Sequence, residues 1–92
     1  MENKILVIGA AGQIGTELVL KLRSQYGDEG VVAADIKTPN YDVFEDGPFE
    51  FLDVLDKERL GQIIKKHKVK TVYLELLLLI AKLCISNMHT VQ

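Results

Sequence analysis

The chain has 92 residues, enough for one small domain. Eleven basic against 13 acidic residues give a formal net charge of -2, so no strong field of either sign selects nucleic acid or an anionic membrane as partner. Apolar residues at 48% and charged residues at 26% argue against disorder, and the single cysteine, Cys84, excludes an internal disulfide framework and a cysteine-based zinc site.

The N-terminus, Met1-Glu2-Asn3-Lys4, leads straight into an apolar run, without the basic region, long apolar stretch and cleavage site of a signal peptide. The late run from Val72 to Ile85 is interrupted by Glu75 and Lys82 and falls short of the ~20 residues that span a bilayer. The expectation is a soluble cytoplasmic protein with no membrane partner.

Lys4-Ile5-Leu6-Val7-Ile8 is apolar on both faces and reads as a buried parallel strand. Gly9 to Gly15 is a glycine-rich turn. A helical pattern runs from Gln13 to about Gln25, with Ile14, Leu18 and Leu22 on one stripe. Residues 26–30 end it. Val31 to Ala34 reads as a second buried strand, closing at Asp35. Residues 37–47 carry Pro39, Asn40, Asp42, Asp46 and Gly47 and read as an irregular connection. Phe49 to Val54 reads as a third strand. Asp56 is a good helix N-cap with Glu58 in the first turn, and Leu60, Ile63, Ile64 and His67 form the next apolar stripe. Val69 to Leu74 reads as a fourth strand. Strands alternating with crossover helices predict an α/β fold with a mostly parallel sheet.

Gly9-Ala10-Ala11-Gly12-Gln13-Ile14-Gly15 has the spacing G-x-x-G-x-x-G. In such a turn the first glycine bends the strand, the second admits a pyrophosphate to the backbone, and the third lets helix pack on sheet. Helix-start amides then hold the phosphates. The glycine pattern alone is weak. Here a strand precedes it, an amphipathic helix follows, and Asp35 closes the next strand 20 residues after Gly15. A carboxylate there accepts from both ribose hydroxyls and repels a 2′-phosphate, which favours NAD over NADP, although Lys37 is placed to attract such a phosphate. The end of the third strand is expected beside the first. There Asp53 either accepts from the adenine amino group, with Val54 packed on the ring, or merely terminates the strand.

Other candidates are weaker. His67 reads as a partly buried helix-end residue, His89 as part of a frayed terminus, and Lys65-Lys66-His67-Lys68 as a solvated helix end with no aromatic platform for nucleic acid.

These residues resemble the N-terminal part of an extended short-chain dehydrogenase/reductase, the NAD-dependent epimerase/dehydratase family. Within it they look most like the L-threonine 3-dehydrogenases. The resemblance lies in Gly12-Gln13-Ile14-Gly15, in Asp35-Ile36-Lys37 and in Val43-Phe44-Glu45-Asp46-Gly47-Pro48-Phe49, and runs from about Lys4 to Leu74. It implies a partial Rossmann-type domain over residues 1–74. Gly9, Ala10, Ala11, Gly12, Gln13 and Ile14 would contact the pyrophosphate of NAD. Asp35, Ile36 and Lys37 would surround the adenosine ribose, and Asp53 and Val54 would contact adenine. It also implies oxidation of the β-hydroxyl of L-threonine to 2-amino-3-oxobutanoate with formation of NADH.

Two features depart from that pattern. Such enzymes use a Tyr-x-x-x-Lys pair, in which the lysine lowers the tyrosine pKa and the phenolate takes the hydroxyl proton. Here the residues four beyond Tyr26, Tyr41 and Tyr73 are Gly30, Glu45 and Leu77, so the catalytic set is absent from these 92 residues. After Leu74 the family has small residues, whereas this chain continues Glu75-Leu76-Leu77-Leu78-Leu79-Ile80. Residues 75–92 are therefore expected to be a divergent apolar tail from truncation or a frame shift. The expected function is cofactor binding without catalysis at this length, with a homodimer only in a full-length protein. The alternatives are an NDP-sugar epimerase or dehydratase fragment, and a non-catalytic nucleotide-binding or interaction fragment that associates through Leu76 to Leu79.

Overall fold

The computed structural model describes residues 4–39 and 41–74. The elements are β1 (Lys4–Ile8), α1 (Gln13–Tyr26), β2 (Val31–Asp35), α2 (Tyr41–Asp46), β3 (Phe49–Phe51), α3 (Lys57–His67) and β4 (Val69–Leu74), with a 3-10 turn at Asp28–Gly30 before β2. The four strands form one all-parallel sheet in the order β3-β2-β1-β4. This is an α/β sheet of the Rossmann type.

The central strands are apolar throughout because both of their faces are covered. Ile5, Val7, Val31 and Ala33 join Val19 and Leu22 of α1 and Val43 of α2 in one buried cluster. Leu6, Ile8, Val32, Ala34 and Val69 join Ile63 of α3 in a second. The period-2 alternation of strand side chains thus feeds two separate cores from the same short runs. A connection to a parallel neighbour must cross a sheet face, and the preference for right-handed crossovers puts α1 and α3 on opposite faces, because β2 and β4 flank β1 on opposite sides.

Three local expectations change. The connection at 37–47 contains the six-residue helix α2, which exists because Val43, fully buried, pins it against α1 and the sheet. The third strand is Phe49–Phe51 rather than Phe49 to Val54, since its pairing with β2 ends at Asp35 opposite Phe51. Its end lies beside β2, not beside β1, which has β2 and β4 as neighbours. The α1 stripe is also rotated from the expected one: Gly15, Val19, Leu22 and Arg23 are buried, while Ile14 and Leu18 are half-buried.

Arg23 is 3% exposed. Its guanidinium donates to the carbonyls of Val31 (3.2 and 3.1 Å), Val43 (2.7 Å) and Pro48 (2.8 Å). Burial lowers its pKa, and the nearby Asp28, Asp46 and Glu29 oppose that shift. The side chain therefore ties α1, β2, α2 and the entry to β3 into one unit. Gly47 leaves room for it, since a Cβ there would lie 2.6 Å from the guanidinium carbon. Pro48 completes the junction by accepting from the Ala33 amide at 2.9 Å.

Glu50 holds the opposite face together. Its carboxylate meets Arg59 at 3.0 Å, Lys66 at 2.8 Å and His67 at 2.6 Å. Burial alone would raise its pKa, but the hydrogen bonds and charges of Lys66 and His67 outweigh that and hold it down to about 2. His67 is half-buried as expected. The basic end of α3 is solvated as expected, with Lys65, Lys66 and Lys68 exposed, and it also ties the helix to the edge strand through Lys66 and His67.

Candidate functional site

Because β2 and β3 follow on one side of β1 and β4 lies on the other, the strand order reverses between β1 and β4. In open parallel sheets this reversal point is where ligands bind. The glycine-rich turn lies at the carboxyl end of β1, between β1 and α1.

Its backbone is tightly specified. Gly9 has φ +91°, a conformation costly for any residue with a Cβ. The amides of Gly9 and Ala10 both donate to the Ala34 carbonyl, at 2.8 and 3.1 Å, so the turn is fastened to β2 as soon as it leaves β1. The Gly12 amide returns to the Gly9 carbonyl at 3.2 Å. Gly15 is obligatory for packing: a Cβ would fall 2.0 Å from the Gly9 oxygen and 2.9 Å from the Ala10 Cα.

Helix α1 starts openly. Gly12, at its N-cap, has no side chain to take the first-turn amides, and the first turn carries no acidic residue. First-turn amides without a side-chain cap are groups that an anion can satisfy, with the positive end of the helix dipole behind them. Gly12 and Gln13 are exposed, Ile14 is half-buried and Ala10 is buried.

Asp35, the last residue of β2, is turned toward this start. One carboxylate oxygen accepts from the Ala11 amide at 2.8 Å, and the other from the Lys37 amide at 3.0 Å. Two amides orient the carboxylate in advance. Each oxygen retains accepting capacity, because an ionised carboxylate has about four lone-pair sites. Ile36 and Lys37 follow on the exposed loop, Ile36 being 64% exposed.

Asp53 and Val54 lie apart from the turn, in the loop after β3. The Leu52 amide donates to the Asp35 carbonyl at 3.0 Å, which places this loop next to Asp35 rather than next to Gly9. The Asp53 carboxylate accepts from the Leu55 amide at 3.0 Å, and Val54 is exposed. The structure thus brings Gly9 to Ile14 together with Asp35, while Asp53 and Val54 border the same edge one strand further out. The described residues enclose no pocket. No group of three metal-ligating side chains converges among them, and no described helix is long and apolar enough to cross a membrane. Residues 75–92, and with them the apolar tail, Cys84 and His89, lie outside the described residues.

A parallel sheet with crossover helices on both faces and a glycine-rich strand-to-helix turn defines the class: an α/β domain of the Rossmann type. Residues 5–76 match the NAD dependent epimerase/dehydratase family. An uncharacterized epimerase/dehydratase of Staphylococcus saprophyticus is 46% identical over 71 residues, which is 76% of this chain and 22% of that protein. The L-threonine dehydrogenase structure from Clostridium difficile superposes with a TM-score of 0.74 at 46% identity, covering 79% of this chain and 23% of that one. The UDP-glucose 4-epimerase from Brucella ovis in complex with NAD gives 0.60 at 32% identity, covering 76% and 21%. The chain therefore belongs to the NAD dependent epimerase/dehydratase family, whose cofactor is NAD, and it spans little more than a fifth of the length of these relatives.

Proposed function

We propose that residues 4–74 form the adenosine-diphosphate half of an NAD site, the N-terminal portion of an oxidoreductase of the L-threonine 3-dehydrogenase type. The pyrophosphate would lie over Gly9 to Ile14, held by the open amides of the α1 start. The ribose hydroxyls would donate to Asp35, with Ile36 and Lys37 flanking the adenosine and Asp53 and Val54 bordering the adenine. Bound NAD+ would accept the hydride from the carbon that bears the alcohol, in the L-threonine reading the β-carbon, while the hydroxyl gives up its proton. No Tyr-x-x-x-Lys pair of the kind the resemblance implies occurs among these 92 residues, and the role proposed for residues 4–74 is cofactor binding.

The observation that supports this reading is the Asp35–Ala11 hydrogen bond, which ties the Asp35 carboxylate to the glycine-rich turn. The choice of L-threonine over a nucleotide sugar rests on the higher identity to the dehydrogenase, 46% against 32% for the epimerase. The Gly47-Pro48-Phe49 segment carries less of that choice than its sequence suggests, because its work is to seat Arg23 and start β3. The test is a pair of thermal shifts. NAD+ should raise the melting temperature more than NADP+ does, and Asp35→Ala should erase the difference. Equal shifts in the unmutated protein would refute the ribose assignment.

A further inference from the structure

Thr16 is the fourth residue of α1. A helical threonine commonly returns its hydroxyl to a carbonyl three or four residues back. Thr16 does otherwise. The Gly12 carbonyl, four residues back, takes the Thr16 amide at 2.9 Å, while the Thr16 hydroxyl reaches six residues back, outside the helix, and donates to the Ala10 carbonyl at 2.8 Å. That carbonyl belongs to the same peptide unit as the Ala11 N–H, which donates to Asp35 at 2.8 Å. A peptide unit is planar and rigid. One plane is thus gripped at its oxygen by Thr16 and at its hydrogen by Asp35, and it joins the start of α1 to the end of β2.

We infer that Thr16 is a positioning residue for cofactor choice: through the Ala10–Ala11 peptide it sets the orientation of the Asp35 carboxylate. This rests on the assignment of Asp35 to the ribose. If the hydroxyl is removed, the peptide is free to rotate about its flanking bonds, the Ala11 amide leaves its line to Asp35, and the carboxylate loses one of its two restraints. Binding of a 2′-hydroxyl then weakens. Binding of a 2′-phosphate does not weaken in step, because the repelling charge is no longer held in place.

The experiment titrates NAD+ and NADP+ into the full 92-residue chain and into Thr16→Val and Thr16→Ser, with amide hydrogen exchange at Ala11 followed in each without ligand. Thr16→Val should bind NAD+ about three- to tenfold more weakly, the scale of one lost hydrogen bond, with a smaller change for NADP+ and faster exchange at Ala11. Thr16→Ser, which keeps the hydroxyl, should restore both the NAD+/NADP+ ratio and the protection. If Thr16→Val fails to fold, Thr16→Ala carries the same expectation with a smaller side chain and a better helix former. An unchanged cofactor ratio in a variant that merely melts earlier would overturn the inference and leave the ribose assignment standing. An unmutated chain that binds neither dinucleotide would overturn both.

Discussion

The two long crossover helices begin in opposite ways. Helix α3 closes its own start: the Asp56 carboxylate accepts from the Arg59 amide at 3.0 Å, and Glu58 sits in the first turn against the helix dipole. Helix α1 begins at a glycine, with no side-chain cap and no acid in its first turn. The seating of the two helices differs as well. α1 is pressed so closely on the turn that Gly15 has no room for a methyl group, whereas nothing lies within 4 Å of a Cβ added to Gly61 in α3. α3 is fastened instead by charge, through Arg59, Lys66 and His67 to Glu50. A helix that only has to cross the sheet can satisfy its own ends. A helix whose start is left open, as the proposed phosphate site requires of α1, takes its stability from close packing instead.

The contrast can be broken at its tightest point. Gly15→Ala forces a Cβ into the Gly9 carbonyl, where only backbone can give way, and should cost about 3 kcal/mol or more in thermal or urea unfolding, abolishing cofactor shifts as well. A loss under about 1 kcal/mol would show that the turn is far more yielding than its geometry implies.

The charged fastening of α3 is tested by acid. The folded pKa of Glu50 is depressed from 4.5 to about 2, so its contribution is fully present above the unfolded value. That contribution is lost as the pH falls from about 4.5 towards 2. Glu50→Gln should therefore be less stable than the unmutated protein at neutral pH, by roughly 1–3 kcal/mol, and the gap should shrink across that acid range. Melting temperatures measured from pH 7 to pH 2 decide it, and a gap independent of pH would remove Glu50 from this role.

The smallest effect on stability is the most informative about function. Gly12 has φ -78° and ψ 170°, which any residue adopts, so Gly12→Asp gives α1 the kind of cap that α3 already has. It should raise stability by only about a few tenths of a kcal/mol while eliminating NAD+ binding, since the new carboxylate occupies the amides and repels the phosphates. A capped protein that still binds NAD+ would mean that the open helix start is not where the pyrophosphate lies.

Much of this was readable in advance, for local reasons. The β-branched run before Gly9, the glycine spacing, the Asp56 cap and the bounds of β4 each depend on residues within a few positions of one another. What escaped depends on partners far apart in the chain. Arg23 stands beside Leu22 on the buried face of α1, yet its partners are carbonyls 8 to 25 residues away. Its position next to an apolar stripe was the available signal. Helix α2 was hidden by Asp42, Asp46 and Gly47, which favour turns, and exists because Val43 finds a core to enter. The basic end of α3 is solvated, as its sequence implies, but its pairing with Glu50 is not local, since Glu50 lies 16 and 17 residues before Lys66 and His67.

By itself the sequence determined that this chain builds a parallel α/β unit with a glycine turn feeding a helix and an acid closing the next strand, because backbone preference and apolar periodicity act over short range. Only the tertiary structure decided that β3 lies outside β2, that Arg23 and Glu50 each lock one face of the sheet, and that Asp35 and Thr16 grip the two ends of one peptide. Those outcomes follow from where strand pairing and crossover packing bring distant groups within hydrogen-bonding reach.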